Sequence, residues 1–223
     1  MPVAVLEPFG AANRGHLVEP TRAGGGAGGD LTEAVRAGLA SALAYRALRR
    51  AVEGLTPVRR VRLDGVDSDP ELVFLTKSAV NLGVAVELLD LGAGPDAALT
   101  VLLARCWDEA RGRWSYALGA DPAWAPAAVG ALRDLLGQVQ LRQQAPNDEP
   151  DTGDPLLADF DAGTLAVQTE AEAATGAVHR WADVLRRLPQ DGLDVLVAPV
   201  GGADLAAGGL VAVRVLLASA GDR

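Results

Sequence analysis

Cysteine occurs once among the 223 residues of this chain, histidine twice and lysine once. Cys106 alone cannot form an intramolecular disulfide, and with only His16 and His179 beside it no Cys/His zinc cage can be assembled. A chain without disulfides fits a reducing compartment. Basic residues are also scarce: 20 Lys+Arg face 29 Asp+Glu, a net charge of -9. The resulting pI near 4.7 excludes the basic footprint that a nucleic-acid or anionic-membrane surface requires. Small molecules and proteins remain as partners. No long hydrophobic run escapes charge: the most apolar stretch, 205–220, holds Arg214 in its middle and Gly208-Gly209 near its start, so no membrane span is expected. The opening MPVAVLEPFG carries Glu7 and no basic residue before Arg14, unlike the charged start of a signal peptide, and a cytoplasmic protein is expected. The preference for arginine over the single Lys77, with abundant alanine, matches the codon usage of a GC-rich bacterium.

What is present suffices for a core. Hydrophobic residues make up 49% and charged residues 22%, and mean hydropathy is +0.17, the balance of a folded globular chain. Residues 1–29 read as a lead-in ending in AGGGAGG, too glycine-rich for a helix or a central strand and therefore a loop. Asp30-Leu-Thr-Glu33 has capping-box spacing, and Leu31, Val35, Leu39 and Leu43 follow at four-residue steps, predicting a helix to about Glu53. VRRVRLDGV reads as an edge strand, Asp69-Pro70-Glu71 opens a second helix to about Asn81, and strands are predicted over 84–91, 99–107 and 113–120. A third helix over 121–144 carries the stripe Val129, Leu132, Leu135, Leu136 and Val139. Residues 145–155 read as an exposed acidic loop, the best candidate for disorder. A helical region is predicted over about 162–188 with a break near Thr175-Gly176, then strands over 193–200 and 209–218, and 219–223 as a tail. The sum is one α/β domain, 30–218, with a mixed sheet and packed helices and no derivable strand order.

Chemistry-bearing candidates are few. The run Gly24 to Gly29 precedes a helix, where amides can receive a phosphate, but no G-K-[ST] follows and Asp30 and Glu33 would repel one, so a flexible loop is favoured. Asp148, Glu149, Asp151 and Asp154 lack the ligand spacing of a calcium loop and read as solvated. His179 and Trp181 read as surface and packing residues, Cys106 as a small buried residue, and Trp107, Trp114, Trp124 and Tyr116 as core filling around a hairpin.

Four stretches nevertheless carry a resemblance. GGGAGGDLTEAVRAGLASALAYRALRR resembles the segment of YcaO-domain proteins in which a small-residue loop enters a helix bearing E-A-V, G-L and E-x-x-E-R. DSDPELVFLTKSAVNLGVAVELLDLGAG, ALGADPAWAPAAVGALRDLLGQVQLR and DGLDVLVAPVGGADLAAGGLVAVRVLL are similar to that family's D-P-E-L, Q-x-R and closing D-V-L-V and R-V-x-V-P-G segments. The likeness runs over about 20–217 and implies a truncated YcaO-like fold corresponding to the C-terminal part of longer members. The family binds ATP and magnesium and phosphorylates a backbone amide oxygen, leading to azolines (thiazole or oxazole precursors), thioamides or amidines in ribosomally made peptides.

Carried onto this chain, the resemblance implies a degenerate site. Ser41, Ala44 and Tyr45 stand where two glutamates and an arginine are expected, Gly137 replaces a third glutamate, and Pro199 and Gly201 replace Asp and Thr. Gln140, Arg142 and Arg214 match the family, whereas Ala218-Ser219 replaces Pro-Gly. Ser41 and Ala44 share a helix face, so this is where two carboxylates would hold magnesium. A carboxylate about 4 Å from a cation contributes on the order of 4 kcal/mol per charge pair at an effective dielectric of 20. Glu33 is no substitute, because eight helical residues separate it from Ser41 by roughly 12 Å. Gly137 reads equally as a packing glycine or as decay of a site. The implied function is a non-catalytic subunit needing no cofactor, with no catalytic or metal residue of its own, that partners an intact YcaO enzyme and a precursor peptide as a hetero- or homo-oligomer. The alternatives are an ATP-dependent cyclodehydratase using Gln140, Arg142 and Arg214, and an unrelated α/β module that binds a peptide or protein.

Overall fold

A computed structural model describes residues 5, 8–15, 20–63, 69–92, 99–109, 111–144, 154, 157, 159–173 and 180–219. Strands β1 (Gly25–Gly28), β2 (Val58–Arg62), β3 (Val86–Asp90), β4 (Thr100–Asp108), β5 (Arg113–Asp121), β6 (Val167–Glu172), β7 (Leu193–Val200) and β8 (Val211–Ser219) alternate with helices α1 (Leu31–Val52), α2 (Pro70–Asn81), α3 (Trp124–Gln144), α4 (Trp181–Arg187) and α5 (Ala203–Ala207). The chain divides into two compact units, one of Met1–Tyr45, Gly153–Phe160 and Leu185–Arg223, the other of Arg46–Thr152 and Asp161–Val184. Each unit has its own sheet, so the α/β class holds while the strands do not share one sheet. Among the described residues no helix is long and apolar enough to cross a membrane.

The larger unit is built on the sheet β5-β4-β3-β2-β6, antiparallel except for the parallel pair β2–β6. Local chemistry sets its helices. Asp69 caps α2 by accepting from the backbone N–H groups of Glu71 and Leu72, with Pro70 at the first turn. The predicted stripe of α3 is buried throughout and packs with Leu72, Leu75, Leu88, Leu102 and Ala104 into one core. Small residues let α3 lie on β5: a Cβ at Gly119 would collide with the Ala127 carbonyl oxygen and stand 2.6 Å from the Ala131 nitrogen. Cys106 is buried in this core, as is Trp124. Trp107 and Trp114 pair edge to face at 5.8 Å on the β4–β5 hairpin, with Trp107 exposed at 43%. The other sheet face holds the Arg105 guanidinium, which donates to Glu87 at 2.9 Å and to the Ala162 carbonyl, and stacks 4.6 Å from the Trp114 ring centre.

The smaller unit is built on the antiparallel sheet β1-β8-β7. Here the glycine loop expectation fails: Gly25–Gly28 is a strand in register with Val211–Arg214. The reason is proximity. A Cβ at Gly26 would collide with the Ala34 carbonyl and the Gly38 nitrogen and lie 2.7 Å from the Gly38 Cα, so only glycine lets α1 sit on this strand. The same contact selects the buried face of α1, which is Ala34, Gly38, Leu39 and Ala42, while Leu31 of the expected leucine stripe is 58% exposed. Asp30 does cap α1, accepting from Glu33 N at 2.8 Å, while the Glu33 carboxylate accepts from Gly29 N at 2.8 Å, one residue ahead of the reciprocal bond of a capping box.

The predicted helix over 162–188 is also corrected. Asp161 caps a short 3-10 turn at Ala162–Thr164 through Gly163 N, β6 follows, and among the described residues of this range the α-helix is confined to Trp181–Arg187. Ala, Gln and Glu favour helix in isolation, but pairing with β2 decides the local state. The expected break at Thr175-Gly176 and His179 lie outside the described residues.

Candidate functional site

The positions singled out in the sequence fall into two clusters, one in each unit. In the smaller unit Ser41 and Ala44 share one side of α1, three residues apart. The Ser41 hydroxyl accepts from Gly24 N at 3.1 Å and reaches the Arg22 carbonyl at 3.5 Å, fastening the turn that leads into β1. Ala44 is 3% exposed. Glu33, the nearest acid on the helix, is committed to the cap. Arg214, on β8, is 6% exposed and donates from Nη1 to the Thr21 carbonyl at 3.0 Å, while its Nε has no hydrogen-bond partner. Burial lowers its pKa from the ordinary guanidinium value, with Asp154 and then Tyr45 opposing.

Asp154 corrects the sequence reading most directly. It was expected to be solvated with the rest of the acidic loop, yet it is 7% exposed and accepts from Thr21 Oγ1 at 2.9 Å and Arg22 N at 2.6 Å. It supplies the negative charge near Arg214 that the emptied helix positions do not. No local signal announces this, because its partners lie 132 residues away. Asp148, Glu149 and Asp151 lie outside the described residues. Pro199 is an exposed residue of β7, and Gly201 takes φ +117, a conformation that disfavours the family's threonine.

In the larger unit Arg142, in the last turn of α3, binds the β4–β5 hairpin. Its Nη1 donates to Ser115 Oγ at 2.7 Å and to Asp108 Oδ2 at 3.3 Å, and its Nε donates to the Gln138 carbonyl at 2.9 Å. Nη2 is buried without a hydrogen-bond partner. Burial and the neighbouring Arg111 lower its pKa, and Asp108 opposes them. Gln140 is exposed on the same helix. Gly137 is settled by space: a Cβ there meets nothing within 4 Å, so it is not a packing glycine. Gly137→Ala is therefore expected to stabilise the chain by about 1 kcal/mol, the helix-propensity difference, read as a higher urea midpoint. A lower midpoint would mean that the position contacts something after all.

Among the described residues no three His, Cys, Asp or Glu side chains come together in a way that would hold a metal ion. Each cluster instead offers one arginine with one buried N–H unspent.

Neither known sequence families nor curated proteins match this sequence. Solved structures do. A YcaO from Methanopyrus kandleri, bound with AMPPCP and Mg2+, superposes with a TM-score of 0.64 at 20% identity over 87% of this chain and 54% of that one. The chain has a YcaO fold. A heterocyclase in complex with substrate and cofactor gives a TM-score of 0.61 at 23% identity, covering 88% of this chain and 27% of the other. The E. coli microcin synthetase McbBCD complex with pro-MccB17 bound gives 0.58 at 11% identity, covering 89% and 54%. The YcaO-like chain thus spans about half the length of the Methanopyrus kandleri YcaO, or less of the heterocyclase. These matches show that the resemblance is one of fold.

Proposed function

We propose that this chain is a YcaO-like subunit that does not turn over ATP itself and that partners an intact YcaO enzyme in maturing a ribosomally made peptide by azoline or thioamide installation. The observation that carries the reading is the fate of the expected carboxylate positions: Ser41 is spent on the Gly24 turn, Ala44 is buried, and Gly137 is an empty helix position. Losing carboxylates worth on the order of 4 kcal/mol per charge pair removes the grip on magnesium and, through it, on a triphosphate. A fold retained without that grip suits a role in assembly or peptide binding. The kinship of fold with a heterocyclase bound to substrate and with a multi-subunit synthetase supports such a setting.

A second reading has its own observation. Arg142 Nη2 in the larger unit and Arg214 Nε in the smaller are each buried and unpartnered, which suits an ATP-dependent enzyme that also uses Gln140 and whose acids come from another chain. Titration calorimetry of the isolated chain with magnesium-ATP separates the two. The subunit reading expects no saturable heat, and micromolar binding would overturn it. Co-purification with an intact YcaO enzyme is the matching positive result.

A further inference from the structure

Two donors converge on one oxygen of Asp154, within the smaller unit. Thr21 Oγ1 donates to Asp154 Oδ2 at 2.9 Å, and the Arg22 backbone N–H donates to the same atom at 2.6 Å. The Thr21 hydroxyl oxygen accepts from Ala23 N at 3.1 Å, which leaves its single proton directed at the carboxylate. The Thr21 carbonyl takes Arg214 Nη1 at 3.0 Å, so one residue links the carboxylate to the guanidinium. Arg214 and Asp154 are 6% and 7% exposed, and the acid's charge opposes the fall in the arginine's pKa that burial causes. A backbone amide, a hydroxyl and an arginine are the groups that hold an oxyanion.

This cradle has supports that do not involve the carboxylate. Gly25 N donates to the Arg22 carbonyl at 3.0 Å and closes the turn that carries both donors. Gly24, inside that turn, donates to Ser41 Oγ of α1 at 3.1 Å, and its carbonyl accepts from Val215 N of β8 at 2.8 Å. Helix and strand hold the turn from two directions, so the donors keep their aim without Asp154. Thr21 is half-buried and Arg22 exposed, which places the cradle at the surface of the unit. The Nε of Arg214 has no hydrogen-bond partner, so the guanidinium has capacity left for an anion.

We infer that Asp154 is a built-in plug: its carboxylate fills an oxyanion cradle formed by Thr21 Oγ1, Arg22 N and Arg214, and bars a phosphate group from it. Resting on the reading that this chain does not bind magnesium-ATP, the plug supplies a second physical cause for it. Besides lacking acids for a metal, the site already holds an anion of its own. A tethered group competes at an effective concentration on the order of millimolar or above, which a dilute free anion does not match. A phosphate arriving beside the carboxylate also meets like charge.

Thermal melts of the full chain in inorganic phosphate, without metal, test the plug. Asp154→Ala should gain a saturable rise in melting temperature, about 4 °C at ten times the dissociation constant, that sodium chloride at equal ionic strength does not produce. The unaltered chain should gain nothing beyond the chloride control, and adding Arg214→Met to Asp154→Ala should remove the gain. Metal-free ATP in a parallel series separates the sources: saturation at a lower concentration than phosphate identifies a nucleotide's phosphoryl group as the occupant, and at a higher one a free phosphate. An equal response from the unaltered chain, no response from Asp154→Ala, or a response that survives Arg214→Met would overturn the inference. Should a variant fail to fold, Asp154→Asn decides, because it keeps an acceptor for Thr21 and Arg22 and drops the charge: it should respond to phosphate, and its silence would be equally fatal. Magnesium-ATP binding by the unaltered chain would fell the subunit reading, whereas the plug stands or falls on the metal-free comparison.

Discussion

Gly119→Ala is expected to cost about 3 kcal/mol of stability, the upper range for overpacking a well-filled core. The added methyl has no room: it would collide with the Ala127 carbonyl and stand 2.6 Å from Ala131 N and 3.0 Å from Ala131 Cβ. The obstacles are mostly backbone atoms of α3, so no side chain can rotate aside and the whole helix must lift from β5. Lifting it opens the core around Leu132 and Leu135, both at or below 1% exposure. Urea denaturation monitored by tryptophan fluorescence would measure the loss. A change below about 1 kcal/mol would mean that α3 does not rest on β5 this closely.

Glu87→Ala should have a comparable effect through electrostatics. The Glu87 carboxylate takes Arg105 Nε at 2.9 Å and Arg105 Nη2 at 2.8 Å, and its other oxygen lies 3.1 Å from Arg60 Nη2. The Arg105 side chain is 7% exposed. Removing the acid strands a buried cation whose remaining partners are the Ala162 carbonyl and the Trp114 ring. Breaking one side of such a pair costs roughly 3 to 5 kcal/mol, and the partial exposure of Glu87 places the expectation near the lower figure. Replacing both partners, Glu87→Leu with Arg105→Met, should recover most of the loss because no buried charge remains. Thermal melts of the single and double variants would test this. Equal destabilisation in both would assign the effect to packing rather than charge.

These two sites differ in how far the sequence announced them. The α3 stripe and the Asp69 cap were legible because their signals are local, read within one or two helical turns. Gly119 carried no warning, since its role depends on which helix crosses it. The leucine stripe of α1 located the buried face only in part: Leu39 is buried but Leu31 is exposed, because close approach to a glycine strand selects Ala34 and Gly38 there, and hydrophobicity alone ranks leucine higher. Strand β1 was missed because its partner is β8, near the other end of the chain, and β6 because its residues favour helix until β2 is beside them. At the candidate site the sequence named Ser41, Gly137 and the two arginines from resemblance, but not their present employment. Asp154 and Thr21 entered only through contacts spanning 132 and 193 residues.

The interleaving of the two units bears on how the molecule is made. Strands β2 to β5 and helices α2 and α3 all lie between residues 58 and 144, a continuous run that can collapse while synthesis is still in progress. The β1–β8 pairing joins residues 25–28 to 211–214 and has to wait for nearly the whole chain. Until then the glycine strand and the small-residue side of α1 emerge early and stand idle. A ribosome-bound intermediate halted before Val211 would hold one finished half and one open half, the form in which a chaperone or a co-translated partner would first meet this protein.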